Sequence, residues 1–142
     1  MRDLIDANVW VALSAKSHEH YSRARLYWDR ETGGELAFCR VTALALLRLL
    51  TNPRALGSAA LDGGAAWRAL ETWLAAPQVV MLADPPGIDE LLRAWSAHLD
   101  LRSRHWTDAY LAAFAMASGS RLVSFDRDFR RYPGLDFLHL RP

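Results

Sequence analysis

The amino-acid sequence predicts an α/β fold built around a mainly parallel sheet. Short apolar runs alternate with longer stretches of helical periodicity along the whole chain. The composition is that of one globular domain, with 142 residues of which 51% are hydrophobic and 23% charged. We therefore expect a single domain over residues 1–142. Parallel sheets bind ligands beyond the carboxyl ends of their strands, so the residues that follow each strand are the first places to look for a site.

Five apolar runs predict the strands of this sheet. The first run begins at Leu4 and passes into a helix through Trp10 and Leu13. The third run is rich in β-branched residues, which favour strands. The predicted strands span residues 4–9, 35–39, 78–83, 121–124 and 136–140.

Helical patterns fill the intervals between the strands. Thr42 and Thr107 are predicted N-caps, because a threonine hydroxyl can accept a hydrogen bond from a free N–H of the first turn. The helices that they begin are expected to run to Leu50 and Ala117. The other predicted helices span residues 18–30, 59–75 and 88–99, and residues 126–132 are predicted to form a turn or a short helix.

Charge and cysteine content exclude several classes of protein. The net charge of +1 does not indicate a nucleic-acid-binding protein, although Lys16 is the one lysine among 17 basic residues and the rest are arginines. Cys39 is alone, so an intrachain disulfide and a multi-cysteine metal site are excluded. The N-terminus lacks the apolar run of a signal peptide, and the longest apolar stretch, 43–50, is too short to span a membrane. We expect a soluble cytoplasmic protein without membrane association.

Aspartates follow two of the predicted strands. Asp6 comes at the end of the first apolar run, Asp126 follows the fourth, and Asp108 lies in the first turn of the helix that leads to the fourth. Taken singly, Asp6 is equally well explained as a helix cap and Asp108 as a charge that stabilises its own helix dipole. Taken together, they predict carboxylates clustered at one edge of the sheet. Close carboxylates repel and favour a cation, and oxygen ligands suit Mg²⁺ or Mn²⁺, so metal-assisted phosphodiester hydrolysis is the predicted chemistry.

Other catalytic motifs are absent or incomplete. Histidines 18 and 20 are two residues apart and do not share a helix face, so they do not form a zinc pair. A phosphatase of the aspartyl-phosphate type would place a second aspartate where Asn8 stands, and a response-regulator receiver would need a late lysine. His105 precedes Asp108 by three residues and is most simply a surface or capping histidine.

Four segments, in a fixed order, cover nearly the whole chain. The first is LIDANVW at residues 4–10, and the second runs from FCRVT at 38–42 to LLRLLTNP at 46–53. The third is WTDAYLAA at 106–113, and the fourth is LVSFDRDF at 122–129. In order and spacing they resemble the PIN-domain nucleases, and in particular the VapC-type toxins of bacterial toxin–antitoxin pairs. The resemblance implies a three-layer α/β/α sandwich with a central parallel sheet.

The resemblance also implies a metal-dependent endoribonuclease. Such a toxin hydrolyses RNA phosphodiester bonds through a metal-activated water, with Mg²⁺ or Mn²⁺ as cofactor, and family members cut transfer, ribosomal or messenger RNA. The residues that match the catalytic, metal-binding acids are Asp6, Asp108 and Asp126, with Asp128 as an assisting metal ligand. The residues expected to position water or substrate around them are Asn8, Thr107, Ser124 and Arg48.

Partners follow from the same resemblance. The chain would pair with a VapB-type antitoxin, bind an RNA substrate, and form a homodimer and toxin–antitoxin hetero-oligomers. The groove expected to receive the antitoxin lies on the early helices, at Tyr21, Leu26, Trp28, Leu46 and Leu50.

One departure from the family pattern concerns a further acid near the start of the helix after the second strand. Ala43 stands at the position aligned with it, and no acid occurs between Glu35 and Asp62. The site would then use three aspartates assisted by Asp128, or bind metal weakly and act slowly, or belong to an attenuated variant. We favour the first, since Mg²⁺ keeps several waters and needs few protein ligands. The alternative function is a PIN-like module that binds RNA or protein with weak or no cleavage.

Arginines near the four segments are candidates for phosphate contacts. A cation held by the aspartates would make this surface more positive than the net charge suggests. The arginines are residues 40, 48, 102, 104, 127, 130 and 131.

Overall fold

A sheet of five parallel strands forms the centre of the computed structural model, which describes all 142 residues. The strands are β1 (Arg2–Ile5), β2 (Glu35–Phe38), β3 (Val79–Met81), β4 (Arg121–Ser124) and β5 (Phe137–His139). Their order across the sheet is β3-β2-β1-β4-β5, and every neighbouring pair is parallel. The predicted α/β class is confirmed, and the sheet is wholly rather than mainly parallel.

Seven α-helices connect the strands. They are α1 (Ala7–Ser14), α2 (Tyr21–Arg30), α3 (Arg40–Leu50), α4 (Pro53–Leu56), α5 (Gly63–Leu74), α6 (Ile88–His98) and α7 (Trp106–Ala117). Short 3₁₀ segments cover residues 57–59, 103–105 and 127–131. None of the helices has the length and apolar character needed to cross a membrane.

Helices cover both faces of the sheet. Side chains alternate along each strand, so Ile5 and Val123 point to one face while Leu4 and Leu122 point to the other. The first face packs against α1, α2, α3 and α5, and the second packs against α6 and α7. The expected three-layer α/β/α sandwich is therefore present, with one hydrophobic core on each side of the sheet.

The first strand is shorter than predicted. It ends at Ile5, because Asp6 caps α1 and accepts a hydrogen bond from the Ala7 N–H at 2.7 Å. Val9 and Trp10, both fully buried, belong to this helix. A run of buried apolar residues fits a strand and a buried helix equally well, and this explains the error.

Both predicted threonine caps are wrong. Helix α3 begins at Arg40 with Cys39 as its N-cap, and the Thr42 hydroxyl lies inside the first turn, where it accepts a hydrogen bond from the Cys39 N–H at 2.9 Å. Helix α7 begins at Trp106, its N-cap makes no side-chain bond, and Thr107 is exposed.

Two other predicted helices begin later than expected. Helix α2 begins at Tyr21 rather than residue 18. Helix α5 begins at Gly63 because Asp62 caps it, accepting a hydrogen bond from the Ala65 N–H at 2.8 Å. The residues before each of these starts form turns and a 3₁₀ segment.

A buried carboxylate joins β1 to β4 at the amino end of the sheet. Asp3 is fully buried and lies opposite Arg121 in the strand register. Arg121 donates two hydrogen bonds to the Asp3 carboxylate, each of 2.9 Å, and the Tyr27 hydroxyl donates a third at 2.7 Å. The Gly33 N–H completes the set at 2.9 Å, and a Cβ at Gly33 would lie only 3.0 Å from Asp3 Oδ1. This network satisfies a charge that would otherwise be costly to bury.

We expect the substitution Arg121→Met to lower the free energy of unfolding by about 3–5 kcal/mol, because it leaves Asp3 buried without its charge partner. Urea denaturation at neutral pH measures the change. Arg2→Met is the matched control, since it breaks the half-exposed Arg2–Glu35 pair and should cost less than about 1 kcal/mol. Equal losses in the two variants would contradict a structural role for the Asp3 network.

Candidate active site

The site lies where the connections of the sheet change direction. Strands β1 and β4 are neighbours, but the chain continues from β1 toward β2 on one side and from β4 toward β5 on the other. Diverging connections open a crevice at the carboxyl ends of such a strand pair. Asp6 follows β1 directly, and Asp126 lies two residues beyond the end of β4. Both aspartates therefore stand at this crevice.

The hydroxyl of Ser124 links the residues around the crevice. Ser124 is fully buried and donates a hydrogen bond to Asp6 Oδ2 at 2.7 Å. Ser124 Oγ in turn accepts hydrogen bonds from the Asp126 N–H at 3.0 Å and from Asn8 Nδ2 at 3.1 Å. Ser124 and Asn8 thus hold the chain segments after β1 and β4 in fixed relation to each other.

Both strand-end aspartates act as helix caps as well. Asp6 caps α1, and Asp126 Oδ1 accepts the Asp128 N–H at 2.9 Å at the start of the 3₁₀ segment 127–131. Burial raises the pKa of Asp6, and the nearby Asp126 adds to the rise, while hydrogen bonds from Ser124 and Ala7 oppose it. Asp6 and Asp126 therefore cap helices and also lie close enough for their charges to interact. A capping role alone does not explain why these two acids lie together.

Asp108 is the one carboxylate of the group that is half-buried and has no hydrogen-bond partner. It is half-buried in the first turn of α7, and it makes no hydrogen bond or ion pair with any other residue. Burial, and then the charges of Asp6, Asp126 and Asp128, raise its pKa to about 6, and Arg131 offsets only part of the rise. Asp108 thus lies within electrostatic reach of the other three predicted acids, and the protein compensates their repulsion only in part.

The donor set suits a hard divalent cation. All four side chains offer oxygen, which Mg²⁺ and Mn²⁺ prefer, and a cation would relieve the repulsion around Asp108. The side chains do not converge on one point, and no three of the acidic, histidine or cysteine residues stand close enough to hold an ion as they are placed. Mg²⁺ is commonly bound by one or two carboxylates together with waters, so the residues present fit such an ion.

Known proteins with similar sequences identify the family. Residues 4–135 match the PIN domain. The chain is 38% identical over 138 residues to ribonuclease VapC41 of Mycobacterium tuberculosis, and the match covers 94% of each chain. The chain belongs to the VapC ribonucleases of the PIN-domain family.

Two solved structures share the VapC fold. VapC20 of Mycobacterium tuberculosis, described as a toxin that cleaves the sarcin–ricin loop, matches with a TM-score of 0.69 at 20% identity and covers 99% of both chains. A toxin–antitoxin complex from Klebsiella pneumoniae matches with a TM-score of 0.66 at 16% identity and covers 98% of both chains. At these identities the likeness supports the fold of this VapC protein.

Two of the predicted supporting residues lie apart from the aspartates. Thr107 is exposed and bonds to none of them. Arg48 has an exposed side chain in the last turn of α3, and it forms no hydrogen bond or ion pair with the site. Roles for Thr107 and Arg48 in positioning substrate or water stay predictions.

Ala43 lies in the hydrophobic core rather than at the crevice. It is fully buried and belongs to the cluster that contains Val9 and Leu46. A carboxylate at this position would be desolvated among apolar side chains. In this VapC protein, Ala43 therefore offers no exposed surface to the crevice.

Part of the expected antitoxin groove is wrong. Leu46 and Leu50 are fully buried in the core, so they have no surface to offer a partner. Trp28 is partly buried and packs against Trp73, with ring centroids 5.1 Å apart. Leu26 is 45% exposed and remains available on α2.

Two residues near the site were missed by sequence reasoning. Tyr132 has a buried hydroxyl without a hydrogen-bond partner, and burial and then Asp108 raise its pKa. His20 stacks on Phe125, which lies between Ser124 and Asp126, with ring centroids 4.8 Å apart. Both contacts join residues far apart in the chain, and no local pattern indicates them.

We expect Asp108→Asn to stabilise the metal-free protein at neutral pH. The pKa of Asp108 is about 6 in the folded chain and near 3.8 when unfolded, so the stability of the wild type falls as the pH rises through this range. The variant should be more stable by roughly 1 kcal/mol at pH 7.5, after allowance for solvent screening of a half-buried group. The gain should vanish near pH 4.

Urea denaturation in the presence of a chelator, at both pH values, measures this difference. Asp89→Asn is the control, because Asp89 is exposed in the first turn of α6, where a negative charge is favourable. A destabilised Asp108→Asn variant at pH 7.5 would show that the acids do not repel as described.

We expect Ser124→Ala to lower the free energy of unfolding by about 1–3 kcal/mol, because the Asn8 amide and the Asp126 N–H lose their buried acceptor. Thermal or urea denaturation measures the loss. In the control Ser96→Ala, an exposed hydroxyl that bonds only to carbonyls of its own helix is removed, and the change should stay within about 0.5 kcal/mol. A Ser124→Ala variant as stable as the control would rule out the linking role.

Proposed function

We propose that this chain is an endoribonuclease that depends on Mg²⁺ or Mn²⁺, and that Asp6, Asp108 and Asp126 hold the ion with Asp128 assisting. The observation that carries the proposal is the Asp108 carboxylate, which has no protein partner and lies among three like charges. The protein retains this repulsion, which Arg131 offsets only in part, at the crevice where parallel sheets bind ligands. Membership of the VapC ribonucleases supplies the substrate class.

The roles of the residues follow from their contacts. Ser124 and Asn8 keep Asp6 and Asp126 in fixed relation, so the two sides of the crevice do not drift apart when charge builds up there. Asp108 is the third proposed ligand and comes from the first turn of α7. A bound divalent ion would supply positive charge for a phosphate and would lower the pKa of a water, which are the requirements of phosphodiester hydrolysis.

We also propose that the chain pairs with a VapB-type antitoxin and forms a homodimer. The structural neighbour from Klebsiella pneumoniae is described as a toxin–antitoxin complex. In this chain, Leu26 leaves apolar surface exposed on α2, which supports an interface on this helix. A Trp28→Ala variant that bound the antitoxin as tightly as the wild type would count against this location.

We expect Asp6→Asn and Asp126→Asn each to lower Mg²⁺-dependent RNA cleavage by roughly 100-fold or more, because each removes a charged ligand while keeping the cap geometry. Cleavage of a labelled RNA by antitoxin-free protein, with Mg²⁺ and with chelator, measures the effect. The readout of metal binding is the rise in melting temperature with Mn²⁺, which each variant should lose.

Asp89→Asn on α6 is the matched control and should cleave as the wild type does. Full activity of Asp6→Asn would overturn the assignment of the site. Tight RNA binding by the wild type without turnover in Mg²⁺ or Mn²⁺ would instead favour the RNA-binding module.

A further inference from the structure

An open cavity of about 450 Å³ lies beside the aspartates and is lined by polar residues alone. We call it the arginine pocket, because four of its six lining residues are arginines. The lining residues are Arg104, His105, Arg127, Asp128, Arg130 and Arg131.

The charge of the arginine pocket is largely unpaired. Six ion pairs occur in the structure, and none of them uses an arginine of this pocket. Arg104 and Arg130 contact the rings of His105 and His139, and neither contact supplies negative charge. Asp128 is the one carboxylate in the lining. Arg131 acts on Asp108 at a distance, but none of the four exposed guanidinium groups forms an ion pair, and such a cluster favours the binding of an anion.

The arginine pocket is continuous with the aspartate cluster. Arg104 and His105 immediately precede α7, which carries Asp108. Arg127 and Arg130 belong to the 3₁₀ segment that Asp126 caps. Asp128 lines the pocket and is also the assisting acid of the proposed metal site. A chain of phosphates with one member at the aspartates would therefore extend directly over the pocket.

We propose that the arginine pocket binds a backbone phosphate of the RNA, adjacent to the phosphodiester that is cleaved. This inference rests on the proposed ribonuclease function. The planar guanidinium fork matches phosphate oxygens, and this preference distinguishes arginine from lysine. A protein partner would be expected to bury hydrophobic or aromatic side chains at the centre of its interface, and no hydrophobic residue lines the pocket. The RNA backbone is thus the polyanion that the pocket fits best.

Binding of RNA without cleavage tests the inference. The double variant Arg127→Ala/Arg130→Ala and the wild type are titrated into a fluorescent single-stranded RNA in EDTA, over a range of salt concentrations. Losing one phosphate contact should reduce the slope of log affinity against log salt by roughly 0.7, and should weaken binding roughly tenfold in 0.05 M salt. The loss should be uniform across RNA sequences, because phosphates carry no base information.

Matched variants separate charge from folding. Arg54→Ala/Arg68→Ala removes two exposed, unpaired arginines on α4 and α5, away from the pocket, and should leave the slope unchanged. Arg127→Lys/Arg130→Lys keeps the charge and should retain most of the slope, so a general loss of structure in the alanine variant would be recognised. An unchanged slope in Arg127→Ala/Arg130→Ala, or an equal fall in the control, would overturn the proposal.

The position of the phosphate is tested with neutral linkages. In an RNA whose cleavage site has been mapped, single methylphosphonates replace the phosphates on either side of that site, one at a time. The penalty of Arg127→Ala/Arg130→Ala should disappear for one neighbouring linkage only. A penalty that persists at every linkage would contradict an adjacent phosphate subsite.

Failure of this proposal is distinguishable from failure of the proposed function. An arginine-dependent salt slope in a protein that never cleaves RNA would keep the phosphate subsite and reject the nuclease. Cleavage that depends on the aspartates, with a salt dependence of RNA binding that does not depend on the arginines, would keep the nuclease and reject the phosphate subsite. Displacement of the RNA by a polyglutamate peptide at equal charge concentration, lost in the same double variant, would assign the pocket to an acidic protein segment and overturn the RNA assignment.

Discussion

The register between β1 and β4 decides what the crevice contains. Asp3 lies opposite Arg121 and Ile5 lies opposite Val123, so the residues that follow, Asp6 and Ser124, meet at the carboxyl end. A slip of one residue would turn every side chain of one strand to the other face. The buried ion pair between Asp3 and Arg121 opposes such a slip, because either charge alone would be buried without a partner. The amino end of the sheet thus fixes the geometry of the site at the opposite end.

Charges of both signs are left uncompensated around that crevice. Burial, and then repulsion by the other aspartates, raises the pKa of Asp108 to about 6, while the neighbouring guanidinium groups of Arg127 and Arg130 form no ion pair. The two sets of charges do not neutralise each other by forming ion pairs. Their separation instead suits two ligands of opposite sign, a cation at the carboxylates and a phosphate at the arginines. The near-zero net charge of +1 conceals this arrangement, because the sum says nothing about where each sign lies.

The sequence indicates the strands more reliably than the helix starts. Alternating apolar runs predict all five strands and the acids that follow two of them, because burial of both sheet faces leaves a strong pattern. Helix starts depend on single hydrogen bonds. Thr42 is not the N-cap of α3 but lies in its first turn, where its hydroxyl accepts a hydrogen bond from the N–H of the N-cap residue Cys39. The linking role of Ser124 depends on strand order, which periodicity does not encode. Leu46 and Leu50 are buried because α3 packs against the sheet. The sequence does not show which face of α3 makes this contact, and the prediction therefore places the two leucines at the surface.

The position of Ala43 bears on whether a set of aspartates without a glutamate is complete. A missing acid would matter if its place opened onto the crevice, since an unfilled ligand position would weaken metal binding. Ala43 instead packs beside Val9 and Leu46, where a carboxylate would lose its hydration without gaining a cation. Besides burial, the charges that raise the pKa of Asp108 in α7 belong to Asp6 after β1 and Asp126 after β4, and Asp128 adds a fourth oxygen donor from the segment after β4. Because Mg²⁺ retains waters in its remaining positions, the proposed set of aspartates would need no ligand from α3 to hold one ion.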